Sequence, residues 1–100
     1  MSGVVPDQVA KLLTQSLAAW RLPGEVCREA DGALRLNAGG KSLRVERAPA
    51  DLLFRWLMTE GARTRGATGI PGLLRTVRAA IDPGWRPVRL RVAPLPVLPP

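Results

Sequence analysis

The sequence predicts an α+β domain in which two amphipathic helices pack on one face of an antiparallel β-meander of about five strands. Two patterns lead to this prediction: apolar residues recur at helical spacing near both ends, and they alternate with polar ones in between, where glycine-containing pairs divide the stretch. A third observation concerns the C-terminus, where prolines accumulate. The expected order is helix, strands, helix, with residues 1–93 forming one domain and residues 94–100 an extended or disordered tail.

The first helix is predicted to begin near Pro6. Asp7 follows directly, and an acidic residue in the first turn suits the positive end of the helix dipole. The proline and glycine of Leu22-Pro23-Gly24 are expected to end the helix, because proline cannot continue it and glycine accepts a chain reversal. The apolar face consists of Val9, Leu12, Leu13, Leu17 and Trp20.

The first hairpin is predicted at Asp31-Gly32, since both residue types tolerate the positive φ angles of a two-residue type I′ turn. This register places Arg28 opposite Arg35. It also places Cys27 opposite Leu36, so the thiol is expected on the core face as a small hydrophobic group.

The second hairpin is predicted at Gly39-Gly40. Its register places Arg35 opposite Arg44 and Leu36 opposite Leu43, which agrees with the first hairpin. One face of the sheet then carries the apolar residues Cys27, Leu34, Leu36, Leu43 and Val45. The other face carries a row of three arginines, Arg28, Arg35 and Arg44.

Residues 52–67 fit two structures. Part of their apolar spacing suits a helix, but alternation on both sides of Glu60-Gly61 favours a third hairpin turning at that pair. The hairpin register gives two cross-strand pairs, Trp56 with Arg65 and Met58 with Arg63.

A second helix is predicted over residues 70–81, ending at Asp82-Pro83-Gly84. Beyond it, residues 88–92 alternate and are expected to add an edge strand, while residues 94–100 either dock or stay disordered. The apolar stripe of the helix consists of Ile70, Leu73, Leu74, Val77 and Ile81.

The charge balance indicates an anionic partner. Fifteen basic residues against eight acidic ones give a net charge of +7, and thirteen of the basic residues are arginine, whose planar group binds phosphate or carboxylate through two bonds. A second explanation stays open, because high usage of Ala, Arg, Gly and Pro with little Lys is typical of proteins from GC-rich bacterial genomes.

Several chemistries are excluded by composition. The chain contains no histidine and no tyrosine, and Cys27 is its only cysteine, so histidine-based catalysis and cysteine metal cages cannot form. We therefore expect no enzymatic activity, no cofactor and no metal. With no secretory pattern at the start and no run of eighteen apolar residues, we expect a cytoplasmic protein with no membrane association.

Two groups of residues are candidates for binding. The first is the row of Arg28, Arg35 and Arg44, which either contacts phosphates or lies solvated on the exposed face, bridged to Glu25, Glu46 or a C-terminal element. The second combines Trp56 with Arg63 and Arg65, a mixture that suits single-stranded nucleic acid if the tryptophan is exposed and a core position if it is not.

Two functions follow from these groups. The first is an accessory nucleic-acid-binding protein. The alternative is a protein-interaction module or homo-oligomer, joined through a sheet edge, the Trp56 region or the proline tail.

Overall fold

The computed structural model describes residues 4–85 and confirms the α+β fold with helix–strands–helix order. The five strands form one antiparallel sheet in the order β1-β2-β3-β4-β5. The edge strand predicted at residues 88–92 and the tail at residues 94–100 lie outside the described residues. The elements are α1 (Asp7–Ala19), β1 (Gly24–Arg28), β2 (Leu34–Ala38), β3 (Lys41–Arg47), β4 (Trp56–Glu60), β5 (Arg63–Ala67) and α2 (Ile70–Ile81).

Both helices bury their apolar stripes against one face of the sheet. Leu13 of α1 and Val77 of α2 are almost fully buried, as are Leu36 and Leu43 in the central strands. The predicted pairing of Leu36 with Leu43 is confirmed, and Gly39 and Gly40 both adopt the positive φ of the predicted turn. The opposite face of the sheet, which no described helix covers, is called the open face below.

Helix α1 ends earlier than predicted. The chain reverses at Arg21, which has a φ of 59°, and the Leu22 N–H donates to the carbonyl of Leu17 at 3.0 Å. This bond closes the helix in a Schellman-type cap, with arginine in the left-handed position that glycine normally takes. Gly24, predicted to accept the reversal, instead begins β1.

The first hairpin register is wrong by one residue. The Glu29 N–H donates to the carbonyl of Ala33 at 2.8 Å, so three residues form the loop, with Gly32 at a φ of 92°. A one-residue slip exchanges the two faces of β1. Cys27 therefore lies opposite Arg35 and is exposed, whereas the prediction placed it in the core.

The third hairpin is confirmed over the helical alternative, but its turn lies one residue later than predicted. Glu60 pairs with Arg63, so the loop is Gly61-Ala62, and Trp56 faces Ala67 instead of Arg65. This register differs from the predicted one by two residues. An even shift keeps every side chain on its expected face and changes only its cross-strand partner.

A β-bulge precedes β4. The Arg55 N–H donates to the carbonyl of Ala67 at 2.9 Å, although Ala67 already pairs with Trp56, so two residues oppose one. The extra residue moves Phe54 to the open face, where a Cβ on Gly66 would overlap its ring. Among the described residues, neither helix has the length and apolar character to cross a membrane.

Candidate functional site

The predicted pairing of Arg35 with Arg44 is present on the open face, but both guanidinium groups are already ion-paired, Arg35 with one carboxylate and Arg44 with three. Arg35 Nε donates to Glu29 Oε2 at 3.0 Å. Arg44 donates to the other oxygen of Glu29 and to both oxygens of Asp31, and lies 3.6 Å from Glu46. Asp31 lies in the three-residue loop of the first hairpin and Glu29 directly precedes that loop, so the same turn that changed the register also brings the carboxylates to the two arginines.

These ion pairs shift the pKa values of three of the residues that form them. Hydrogen bonding to Arg35 lowers the pKa of Glu29 below its usual value of 4.5, and bonding to Arg44 lowers the pKa of Asp31 below 3.8. The same bonds raise the pKa of Arg44 above its usual range. Glu29 and Asp31 are therefore ionised at neutral pH, where they pair with Arg35 and Arg44.

Arg28 does not belong to the row, because the corrected register places it opposite Leu34 on the helix-covered face. Its guanidinium donates to Asp7 Oδ1 and to the carbonyl of Gly32, each at 2.8 Å. Arg28 thus connects the start of α1 to the first hairpin. The predicted row of three arginines is reduced to a pair.

Trp56 lies in the core and is only 5% exposed. Its partner across the strand is Ala67, and the guanidinium carbon of Arg47 lies 5.9 Å from the centre of its ring. Arg63 and Arg65 are exposed on β5, where Arg65 faces Met58. The structure therefore does not bring Trp56 together with these two arginines as an exposed stacking surface.

The positive charge of the chain is unevenly distributed. Ion pairs in the described part join four basic residues to five acidic ones. Subtracting these from fifteen basic and eight acidic residues leaves eleven basic and three acidic residues in the rest of the chain. The paired basic residues are Arg28, Arg35, Lys41 and Arg44, all on β1–β3.

Five exposed arginines lie at the end of β3, directly before β4, on β5 and on α2, and we call them the β5-side arginines. Within residues 4–85, none has a carboxylate oxygen within 4 Å. Helix α2 packs on β4 and β5 and brings one of them to that side of the molecule. They are Arg47, Arg55, Arg63, Arg65 and Arg75.

No protein-family model, curated protein or solved structure matches the chain. The candidate sites therefore depend on the geometry alone.

An apolar groove of about 740 Å³ adjoins the β5-side arginines, and we call it the loop groove. Its main wall is the segment between β3 and β4, and Arg47 and Arg55 lie on its lining. The large hydrophobic residues exposed in the described part of the chain all line this groove. They are Val4, Leu52, Leu53 and Phe54.

Sequence reasoning missed the loop groove and three of the β5-side arginines, Arg47, Arg55 and Arg75. The available signal was the run of three large apolar residues at positions 52–54, directly after a segment with a proline and an aspartate. Three large apolar residues next to loop-forming residues do not alternate as a half-buried strand does, and they indicate an apolar patch on the surface. Phe54 also continues the alternation of Trp56 and Met58, which is typical of a strand, and this second pattern concealed the run.

Proposed function

We propose that the protein binds nucleic acid without catalysis, and that the β5-side arginines hold the phosphate backbone. The observation that carries the proposal is the uneven ion pairing: carboxylates pair with Arg35 on β2 and Arg44 on β3, whereas the β5-side arginines have no such partner among the described residues. We therefore place the nucleic-acid surface at the β5-side arginines and not at Arg35 and Arg44 on the open face.

Charge and residue type both support this assignment. Several like charges on one side of a small domain repel one another, and a polyanion relieves that repulsion while releasing its own counterions. Arginine also presents a rigid fork of donors that matches the geometry of phosphate. Phe54 is 44% exposed beside this surface, and a half-exposed aromatic ring offers a base a face on which to stack.

The proposal places the protein in the cytoplasm, where nucleic acid is abundant. The exposed thiol of Cys27 fits a reducing compartment. A protein partner is the second candidate, favoured by the loop groove.

Salt dependence of binding to a single-stranded oligothymidine tests the proposal. Each phosphate contact on a single strand contributes a slope of about −0.7 to log affinity against log salt, so five contacts predict about −3.5. Replacing Arg63, Arg65 and Arg75 with glutamine should flatten the slope by about 2. Fluorescence anisotropy across a series of salt concentrations measures both slopes.

The matched control removes the same charge elsewhere, with Lys11→Gln, Arg21→Gln and Arg35→Gln combined. This variant should retain nearly the wild-type slope, because its three residues lie on α1, at the end of α1 and on β2. Equal flattening in both triple variants would show that total charge, not position, governs binding. That result, or a wild-type slope near zero, contradicts the proposal.

A further inference from the structure

The exposed hydrophobic residues of the described chain converge on one place. Leu53 is 93% exposed, and Val4, Leu52 and Phe54 are each exposed by 41–45%. Large apolar side chains left in water lose the favourable free energy that burying them would give. A cluster of them on a small domain is typical of a surface that a partner covers.

The walls of the loop groove are held in place by the fold. The Ala48 N–H donates to the carbonyl of Arg55 at 2.9 Å, closing the base of the loop, and the Leu52 N–H donates to Pro49 at 3.1 Å. On the opposite wall, the Val5 N–H donates to Gly32 at 3.0 Å and fixes the segment before α1. A groove built this way needs little ordering when it binds, which favours affinity.

We propose that the loop groove docks a short segment of a partner protein in which apolar residues stand beside acidic ones. The apolar walls would bury the hydrophobic side chains, and Arg47 and Arg55 would pair with the carboxylates. Among residues 4–85, no carboxylate lines the groove and none lies within 4 Å of these two arginines. The proposal shares Arg47 and Arg55 with the proposed nucleic-acid surface, so a docked peptide and a nucleic acid would compete for these two arginines, whereas Arg63, Arg65 and Arg75 lie outside the groove.

Charge argues against the other occupants. Residues 86–100 of the same chain contain three arginines and no acidic residue, so they would bring like charge to the groove. A second copy of the chain brings a net charge of +7. A phosphate backbone would satisfy the arginines but would leave Leu52 and Leu53 exposed to water.

Selection from an unbiased library of random short peptides, displayed against the full chain, tests the proposal. Enriched sequences should combine apolar residues with an excess of aspartate and glutamate over the starting library. A synthetic peptide of the selected sequence then measures affinity by fluorescence anisotropy. Leu53→Ser should weaken it about ten-fold, the loss typical of a central apolar contact, without affecting folding, because the side chain is almost fully exposed.

Two matched variants measure how much the arginine charge contributes to peptide binding. Arg55→Gln should weaken the peptide about three-fold and reduce the salt dependence of its binding, whereas Arg63→Gln, an equal charge change outside the groove, should leave its affinity within two-fold. The proposal is overturned if no peptide is enriched, if enriched peptides show no acidic excess, or if they bind Leu53→Ser as well as wild type. Sedimentation equilibrium that shows a wild-type dimer and a Leu53→Ser monomer would instead identify a second copy as the occupant.

Discussion

Arg44 on β3 and Arg65 on β5 both lie on strands of one sheet, yet their surroundings are opposite. Arg44 contacts three carboxylates, one in the loop of the first hairpin and one directly before that loop. Arg65 has none within 4 Å in the described chain and faces the apolar Met58. A pattern of alternating arginines therefore predicts the strand but not the availability of its charge. The loop that folds back beside the strand decides whether that charge stabilises the fold or remains for a partner.

The largest stability effect is expected at Gly66, the one position on the β5 side where we expect a small change to disturb the structure. A Cβ there would overlap the ring of Phe54. Gly66→Ala should lower the free energy of unfolding by about 1–3 kcal/mol, because the ring must move. Urea denaturation measures the loss. If adding Phe54→Ala restores most of the lost stability, overlap with the Phe54 ring causes the loss. If stability is not restored, the strain lies in the backbone instead.

Arg44→Met is expected to destabilise the paired half of the sheet. The change leaves Glu29, Asp31 and Glu46 without their shared cation, and three partly exposed pairs at roughly 0.2–1 kcal/mol each give a loss of about 1–2 kcal/mol. Urea, which does not screen charge, is the suitable denaturant. An unchanged midpoint would mean that these ion pairs contribute nothing to stability.

Acidification should weaken the same half. Because the pKa values of Glu29 and Asp31 are lowered in the folded state, the unfolded chain binds protons first as pH falls. The ion pairs therefore contribute fully above the usual values of 4.5 and 3.8, and this stability is lost as pH drops through the lower folded values. Glu29→Gln combined with Asp31→Asn should flatten this acid limb, measured by urea denaturation at a series of pH values. Asp51→Asn, a carboxylate without an ion pair in the described chain, should leave it as steep as in wild type.

The smallest stability effect is expected from Arg63→Gln and Arg65→Gln, which should each change the free energy of unfolding by less than about 0.5 kcal/mol. Neither guanidinium has a carboxylate to lose among the described residues. Thermal and urea unfolding of both variants provide the check. A loss comparable to that of Arg44→Met would mean that the two halves of the sheet do not differ in the way described.

Sequence patterns predicted the meander and both helices, but the predicted register of the first hairpin was wrong because its loop is one residue longer than expected. At Gly39-Gly40 two glycines fill the two positions of positive φ, so the register followed directly. At Asp31-Gly32 the Ala33 N–H donates to Asp31 Oδ1 at 3.1 Å in a longer loop. Counting it as a two-residue turn exchanged the faces of Cys27 and Arg28.

The candidate site was less predictable than the fold. The bulge before β4 moves Phe54 away from the face of Trp56, and only the hydrogen bond from Arg55 to Ala67 reveals it. Ion pairing was equally hidden, because Glu29 and Asp31 lie six and thirteen residues before the arginines they contact. The sequence identifies the arginines of the sheet, but the position of the loops determines which of those arginines have a carboxylate partner.

Each strand of the sheet pairs with the strand next to it in sequence, and this order affects how the chain folds. Every hairpin closes through a loop of two or three residues or the short segment between β3 and β4, so little entropy is lost before the first contacts form. Chains with such local pairing fold faster than those that must first join distant strands. During synthesis, each hairpin can therefore form as soon as its second strand emerges, and α2 closes over the core last.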